Sequence, residues 1–122
     1  MAISYNKIIQ YEIHKTNINR NIFIKFIQLI VNNIKNHYFL MDNVSFHKGK
    51  ELKQIIENSS NKLIFIPPYS PQFNPIENVF SQMKRNLDNL NPKNFLIKLK
   101  KSLNFIKRKH LQNYYYNSFV KT

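Results

Sequence analysis

The chain carries only six acidic side chains, Glu12, Asp42, Glu51, Glu57, Glu77 and Asp88, so each can be weighed for chemistry. Glu51 and Glu57 fall in a Lys-rich helical stretch, and Glu12 and Asp88 sit among polar neighbours; these four read as solvated surface charges. Asp42 and Glu77 differ. Asp42 follows the apolar run Tyr38-Phe39-Leu40-Met41, and a carboxylate at the end of a buried strand is costly unless a cation or hydrogen bonds hold it. Glu77 is the third residue of a helix opened by Asn74-Pro75, on the polar side away from Ile76, Val79 and Phe80. The two carboxylates are expected to converge at one rim, side by side. A purely structural role is open to each. Asp42 can cap the turn into Asn43 and Ser45, and Glu77 can serve half of a capping box or answer the helix dipole. His47 stands alone in its loop, and a lone histidine is usually not a metal ligand.

The elements that must position these residues follow from periodicity. Residues 2 to 14 hold two stretches rich in β-branched and aromatic side chains around Asn6-Lys7, where Asn tolerates a left-handed turn; they read as a hairpin. Residues 20 to 36 space Ile22, Phe23, Phe26, Ile27, Ile30, Val31 and Ile34 by threes and fours, which predicts an amphipathic helix with Asn19 as its cap. Residues 38 to 41 predict a buried strand, residues 50 to 58 a helix with Leu52, Ile55 and Ile56 turned inward, and residues 63 to 66 a second buried strand stopped by Pro67 and Pro68. A stiff, proline-rich loop then leads to Asn74 as cap and Pro75 as first helical residue, with Ile76, Val79, Phe80, Met83, Leu87 and Leu90 on one apolar face. A turn at Asn91-Pro92 opens a basic helical tail that places Phe95, Leu96, Leu99, Leu103 and Phe105 or Ile106 inside and Lys98, Lys100, Lys101, Lys107 and Arg108 outside. Strands alternating with helices imply an α/β fold with parallel strands, and chemistry in such sheets collects at the carboxyl ends of strands.

Composition narrows the partners. The 122 residues include 19 Lys and Arg against six acids, a formal charge of +13, and no Cys, which excludes disulfide scaffolds, thiolate metal sites and cysteine nucleophiles. Lys outnumbers Arg by sixteen to three, a bias that an A/T-rich genome explains, but that bias does not explain why so few acids were kept. A surplus this large points to a polyanion, nucleic acid first, because cations displacing counterions from phosphates drive association. A ribosome-like or merely biased basic protein and an anionic membrane surface are the alternatives. No run approaches the roughly 20 apolar residues of a membrane span, and no signal peptide is evident, so a soluble intracellular protein without membrane association is expected. That means the cytoplasm or nucleoid in a bacterium, or the nucleus in a eukaryote.

The segment FLMDNVSFHK, followed by LIFIPPYSPQFNPIENVFSQMK, resembles the catalytic domain of DDE transposases of the mariner and bacterial insertion-sequence type. The likeness rests on the D-N-x-x-x-H run, the P-P-Y-S-P-x-x-N-P-I-E block and the 34 residues between Asp42 and Glu77. It implies an RNase H-like fold, a mixed sheet with helices on both faces, over residues 1–90, with residues 91–122 as a basic tail packed on the same domain. It further implies that Asp42 and Glu77 are the second and third of three acids holding two Mg²⁺ or Mn²⁺ ions. Such ions activate a water or a DNA 3′-hydroxyl and stabilise the departing oxygen in an in-line attack on phosphorus. Asn43, Ser45 and His47 match the family run as groups that support the metal ligands or touch phosphate. Tyr69, Ser70 and the surrounding prolines set the loop that aims Glu77. Lys84, Arg85, Lys98, Lys100 and Lys101 are the candidate DNA contacts, although the tail could equally be a lysine-covered helix closing the core.

In the resembling family the first acid lies on an opening strand upstream of the hairpin, and this chain begins at the hairpin. The expectation is a fold that lacks its first strand and an incomplete metal triad. Glu12 lies on the wrong strand to substitute. Two functions follow: part of a DNA transposase, inactive unless an upstream transposase fragment supplies the missing strand and Asp, or a non-catalytic nucleic-acid-binding protein that keeps the fold and the basic surface. A homodimer is compatible with either.

Overall fold

The computed structural model describes residues 1–14, 16–42, 50–67, 69–88 and 95–119. Among them are two small two-stranded sheets and five α-helices, a mixed α/β architecture. The expectations for Asn43, Ser45, His47, Pro68, Leu90 and the Asn91-Pro92 turn lie outside the described residues. Two compact units divide the chain, one formed by Met1 and Gln10–Ser70, the other by Ala2–Ile9 and Pro71–Thr122.

Strands β1 (Ala2–Ile3) and β2 (Ile8–Gln10) form the expected hairpin, shorter than the sequence pattern implied. Its turn is organised by Ser4 and not by a left-handed Asn6. The Ser4 N–H donates to the Lys7 carbonyl at 2.8 Å, while the Ser4 hydroxyl oxygen accepts from the N–H groups of Asn6 and Lys7. A serine side chain that mimics a backbone turn in this way removes the need for a positive φ.

In the first unit, helix α1 (Arg20–Val31) starts as predicted. The Asn19 side chain accepts from the Ile22 N–H at 2.9 Å, and Ile24, Phe26, Ile27, Ile30 and Val31 are buried. The helix stops earlier than its apolar spacing suggested, which leaves Ile34 beyond it. Asparagines compete with the helical backbone for hydrogen bonds: Asn33 Nδ2 reaches the Leu29 carbonyl, and Asn36 takes a left-handed φ of 58°. Strand β3 (Tyr38–Met41) pairs in parallel with β4 (Lys62–Phe65), with Tyr38 opposite Lys62 and Met41 opposite Phe65. Between them α2 (Lys50–Asn58) buries Leu52 and Ile56 completely and packs on α1 and β4.

Both strands were expected to be buried, and that expectation fails. Successive side chains of a strand face opposite sides, so Tyr38, Leu40, Lys62 and Ile64 share one face. Tyr38 is 68% exposed and Ile64 44%, whereas Met41, on the other face, is buried. On the Met41 face Phe65 is exposed as well, so these mostly apolar runs mimicked fully covered strands although each leaves side chains open to solvent. Strand β4 also begins one residue before the predicted Leu63, because the Lys62 N–H joins the His37 carbonyl at 3.0 Å.

The junction that aligns the two strands is a buried asparagine. Asn61 Nδ2 donates to the carbonyls of Ile34 (2.9 Å) and Ser59 (3.2 Å), and its Oδ1 accepts from the His37 N–H at 3.0 Å. Asn36 N–H adds a bond to the Ser60 carbonyl at 2.8 Å, and Ser60, like Asn36, has a left-handed backbone with φ 66°. The loops entering β3 and β4 are thus tied to each other directly.

In the second unit, α3 (Pro75–Asp88) packs against α4 (Phe95–Asn104) and α5 (Arg108–Phe119), burying Val79, Leu103 and Leu111. Polar bonds fix the α3–α4 contact: the Ser102 hydroxyl donates to the Met83 carbonyl at 2.9 Å, and Asn86 Nδ2 donates to the Ser102 carbonyl. Gln82 links α3 to α5, accepting from the Tyr114 hydroxyl at 2.6 Å and meeting His110 Nδ1 at 3.3 Å. Tyr115 packs edge-on to Tyr5 and beside Phe119, and its hydroxyl donates to the Ile3 carbonyl. Burial pushes the Tyr115 phenol up to about 12, so it stays a neutral donor. Phe80 and Leu96, expected inside, are each more than two-fifths exposed, because α4 and α5 cover narrower stripes than the sequence pattern implied, and of the alternatives Phe105 and Ile106 it is Ile106 that is half-buried.

Ser118 is buried on α5, and its hydroxyl has no partner among the described residues. A buried hydroxyl without a bond costs about 1–3 kcal/mol, so Ser118→Ala should raise stability by roughly 1 kcal/mol in urea melts. A lower midpoint would show that the hydroxyl is satisfied in solution.

Candidate active site

Asp42 follows β3 directly and is half-buried at the carboxyl end of that parallel strand, the position predicted from the YFLM run. The ladder is still closed at this point, since the Ile66 N–H donates to the Met41 carbonyl at 2.9 Å. The backbone that presents Asp42 is therefore fixed on the strand side.

Glu77 is the third residue of α3 and is also half-buried. The start of this helix is built as the sequence indicated. Asn74 is buried; its Oδ1 accepts from the Ile76 N–H, and its carbonyl accepts from the Glu77 N–H at 3.1 Å. Asn74 is held in turn by its own N–H, which donates to the Pro71 carbonyl at the 3₁₀ turn Pro71–Phe73. Pro75 is buried at the first helical position, where its missing N–H costs nothing. A carboxylate in this first turn is favoured by the helix dipole, and the Ser81 hydroxyl, which donates to the Glu77 carbonyl, secures the next turn.

Asp42 belongs to the first unit and Glu77 to the second. Among the described residues there is no group of three or more His, Cys, Asp or Glu side chains able to hold a metal ion. Carboxylate oxygens such as those of Asp42 and Glu77 suit a hard divalent cation in kind.

Tyr69 is fully exposed and left-handed at φ 57°, an uncommon backbone for an aromatic residue. No packing of its ring accounts for this residue at the head of the loop that leads to Glu77.

Of the expected DNA contacts, Lys84, Arg85, Lys100 and Lys101 are exposed and Lys98 is half-buried. Lys107 and Arg108, placed outside, are exposed as expected, just before and at the start of α5, and so is Lys109, which was left out of the set. The signal was available, since no Asp or Glu follows Asp88. No helix among the described residues is long and apolar enough to cross a membrane.

A family model described as DDE superfamily endonuclease matches residues 1–100. No match is found among curated proteins or among solved structures.

Proposed function

The chain belongs to the DDE superfamily of endonucleases, and on that premise we propose that Asp42 and Glu77 are two of the metal-holding carboxylates of a DNA transposase. Endonucleases of this superfamily act on DNA and generally use divalent metal ions. The observation that carries the reading is the family match, combined with an acid at the carboxyl end of a parallel strand and another in the first turn of a capped helix. The finer assignment, to the mariner and insertion-sequence type with an RNase H-like core, rests on the D-N-x-x-x-H and P-P-Y-S-P-x-x-N-P-I-E runs.

When bound, Mg²⁺ or Mn²⁺ would polarise the phosphate and stabilise charge on the attacking and departing oxygens. The part of this chain is to hold the ions. Asp42 does so from a strand whose backbone is locked by the ladder, and Glu77 from a helix start locked by Asn74 and Pro75.

Mn²⁺ titration followed by electron paramagnetic resonance tests the assignment. Asp42→Asn and Glu77→Gln should each weaken binding about tenfold or more, with the double variant little worse than either single one, because ligands of a shared site are not additive. Unchanged affinity in both single variants would overturn the reading. A non-catalytic DNA-binding role is the second reading, favoured by the formal charge of +13. Metal-dependent nicking that disappears in Asp42→Ala would exclude it.

A further inference from the structure

We propose that the joint between α4 and α5 is a sequence-independent docking surface for the phosphate backbone of duplex DNA, separate from the Asp42 and Glu77 chemistry. Residues 89–122 contain eight Lys and Arg and no acid, so eight of the thirteen net positive charges lie in the last 34 residues. Five of these cations, Lys100, Lys101, Lys107, Arg108 and Lys109, fall within ten residues, and all five are exposed. The ion pairs Arg20–Glu51 and Lys53–Glu57 quench cations of the first unit, but none of these five has an ionic partner among the described residues. Like charges gathered this closely repel one another, and a polyanion relieves that repulsion while its counterions are released.

The joint is held rigid. The Phe105 N–H bonds the Lys101 carbonyl and the Ile106 N–H bonds the Leu103 carbonyl, which closes α4. At the start of α5, the Lys107 N–H donates to His110 Nδ1 at 2.9 Å, and that ring is tied to α3 through the buried Gln82. Ser102 secures α4 to the same helix. The cations therefore project from a fixed scaffold, which limits the ordering cost of binding. Much of this surface, from Lys107 onward, lies beyond the family match, so the endonuclease reading does not assign it. Among the five cations and the exposed Asn104 next to them, every side chain offers hydrogen-bond donors to phosphate and none carries a negative charge.

The test is fluorescence anisotropy of a random-sequence duplex, titrated in EDTA across a range of salt. EDTA removes any metal contribution, so failure here would leave the metal-ion assignment untouched. Changing all five cations to Gln should weaken binding on the order of 100-fold at about 0.1 M salt and flatten the log–log salt slope by about 4, at roughly 0.9 per phosphate contact. A charge-keeping set, in which the four lysines become Arg and Arg108 becomes Lys, should bind like the parent. Five exposed lysines of the first unit changed to Gln (Lys25, Lys35, Lys50, Lys53 and Lys62) remove the same charge and should leave the slope within about one of the parent. Equal losses in both Gln sets would overturn the proposal, as would an unchanged slope in the joint variant. Tighter binding to phosphatidylserine vesicles or to a single strand than to the duplex would also overturn it. Far-ultraviolet circular dichroism of each variant confirms that binding is compared between folded proteins.

Discussion

Leu52→Ala should destabilise the first unit by about 2–5 kcal/mol, the usual range for truncating a fully buried leucine. Leu52 has no exposed surface and sits on the α2 face that packs on α1 and β4, with Ile56 one turn further along and equally buried. Both helices are short, so neighbours cannot close the void without losing their own contacts. Urea melts followed by circular dichroism would measure the loss as a lower midpoint at an unchanged slope. A loss below about 1 kcal/mol would show that the α1–α2–β4 packing is looser than described.

Asn61→Leu should cost about 2–4 kcal/mol, even though leucine has a similar volume and is more apolar. The asparagine makes three hydrogen bonds, to the carbonyls of Ile34 and Ser59 and from the amide of His37. Leucine leaves those backbone groups unpaired in a partly buried place, and that penalty exceeds the gain from added apolar surface. Asn61→Asp keeps an acceptor for the His37 N–H but sets a buried carboxylate against the carbonyls of Ile34 and Ser59, so it should cost at least as much as Leu. If Asn61→Leu melts at the parent midpoint, water replaces the side chain at the junction and the clamp contributes little.

Both residues show which parts of the fold were legible. Leu52 and Ile56 were readable because helical spacing assigns a buried face from local sequence alone. So were the Asn19 and Asn74 caps and the start of α3 at Pro75, where a single residue type at a single position carries the signal. Asn61 was not, because its partners at Ile34 and His37 are distant in sequence, and an asparagine after two serines reads as an ordinary loop. The same holds for Ser102, whose partner Met83 lies on another helix. The exposure of Tyr38, Ile64 and Phe65 was missed because apolar runs signal burial even where the strands are only partly covered.

The candidate site followed a similar pattern. Asp42 and Glu77 stood out because acids are so scarce that each could be examined separately, and both occupy the predicted element ends. Lys109 was missed because single lysines in a lysine-rich sequence carry little information. Only the complete absence of acids beyond Asp88, seen together with the rigid joint that presents Lys107, Arg108 and Lys109, marks the surface.

The parallel pairing of β3 and β4 also governs how this unit folds. Tyr38 can meet Lys62 only after the whole intervening stretch, α2 included, has been brought round, so the ladder yields no return until a sizeable loop has closed. Helices α1 and α2, built from local contacts, can form well before that encounter. Strand alignment should then come late, timed by chain closure, whose cost grows only gently with the length of chain to be closed, by about 0.6 kcal/mol per doubling.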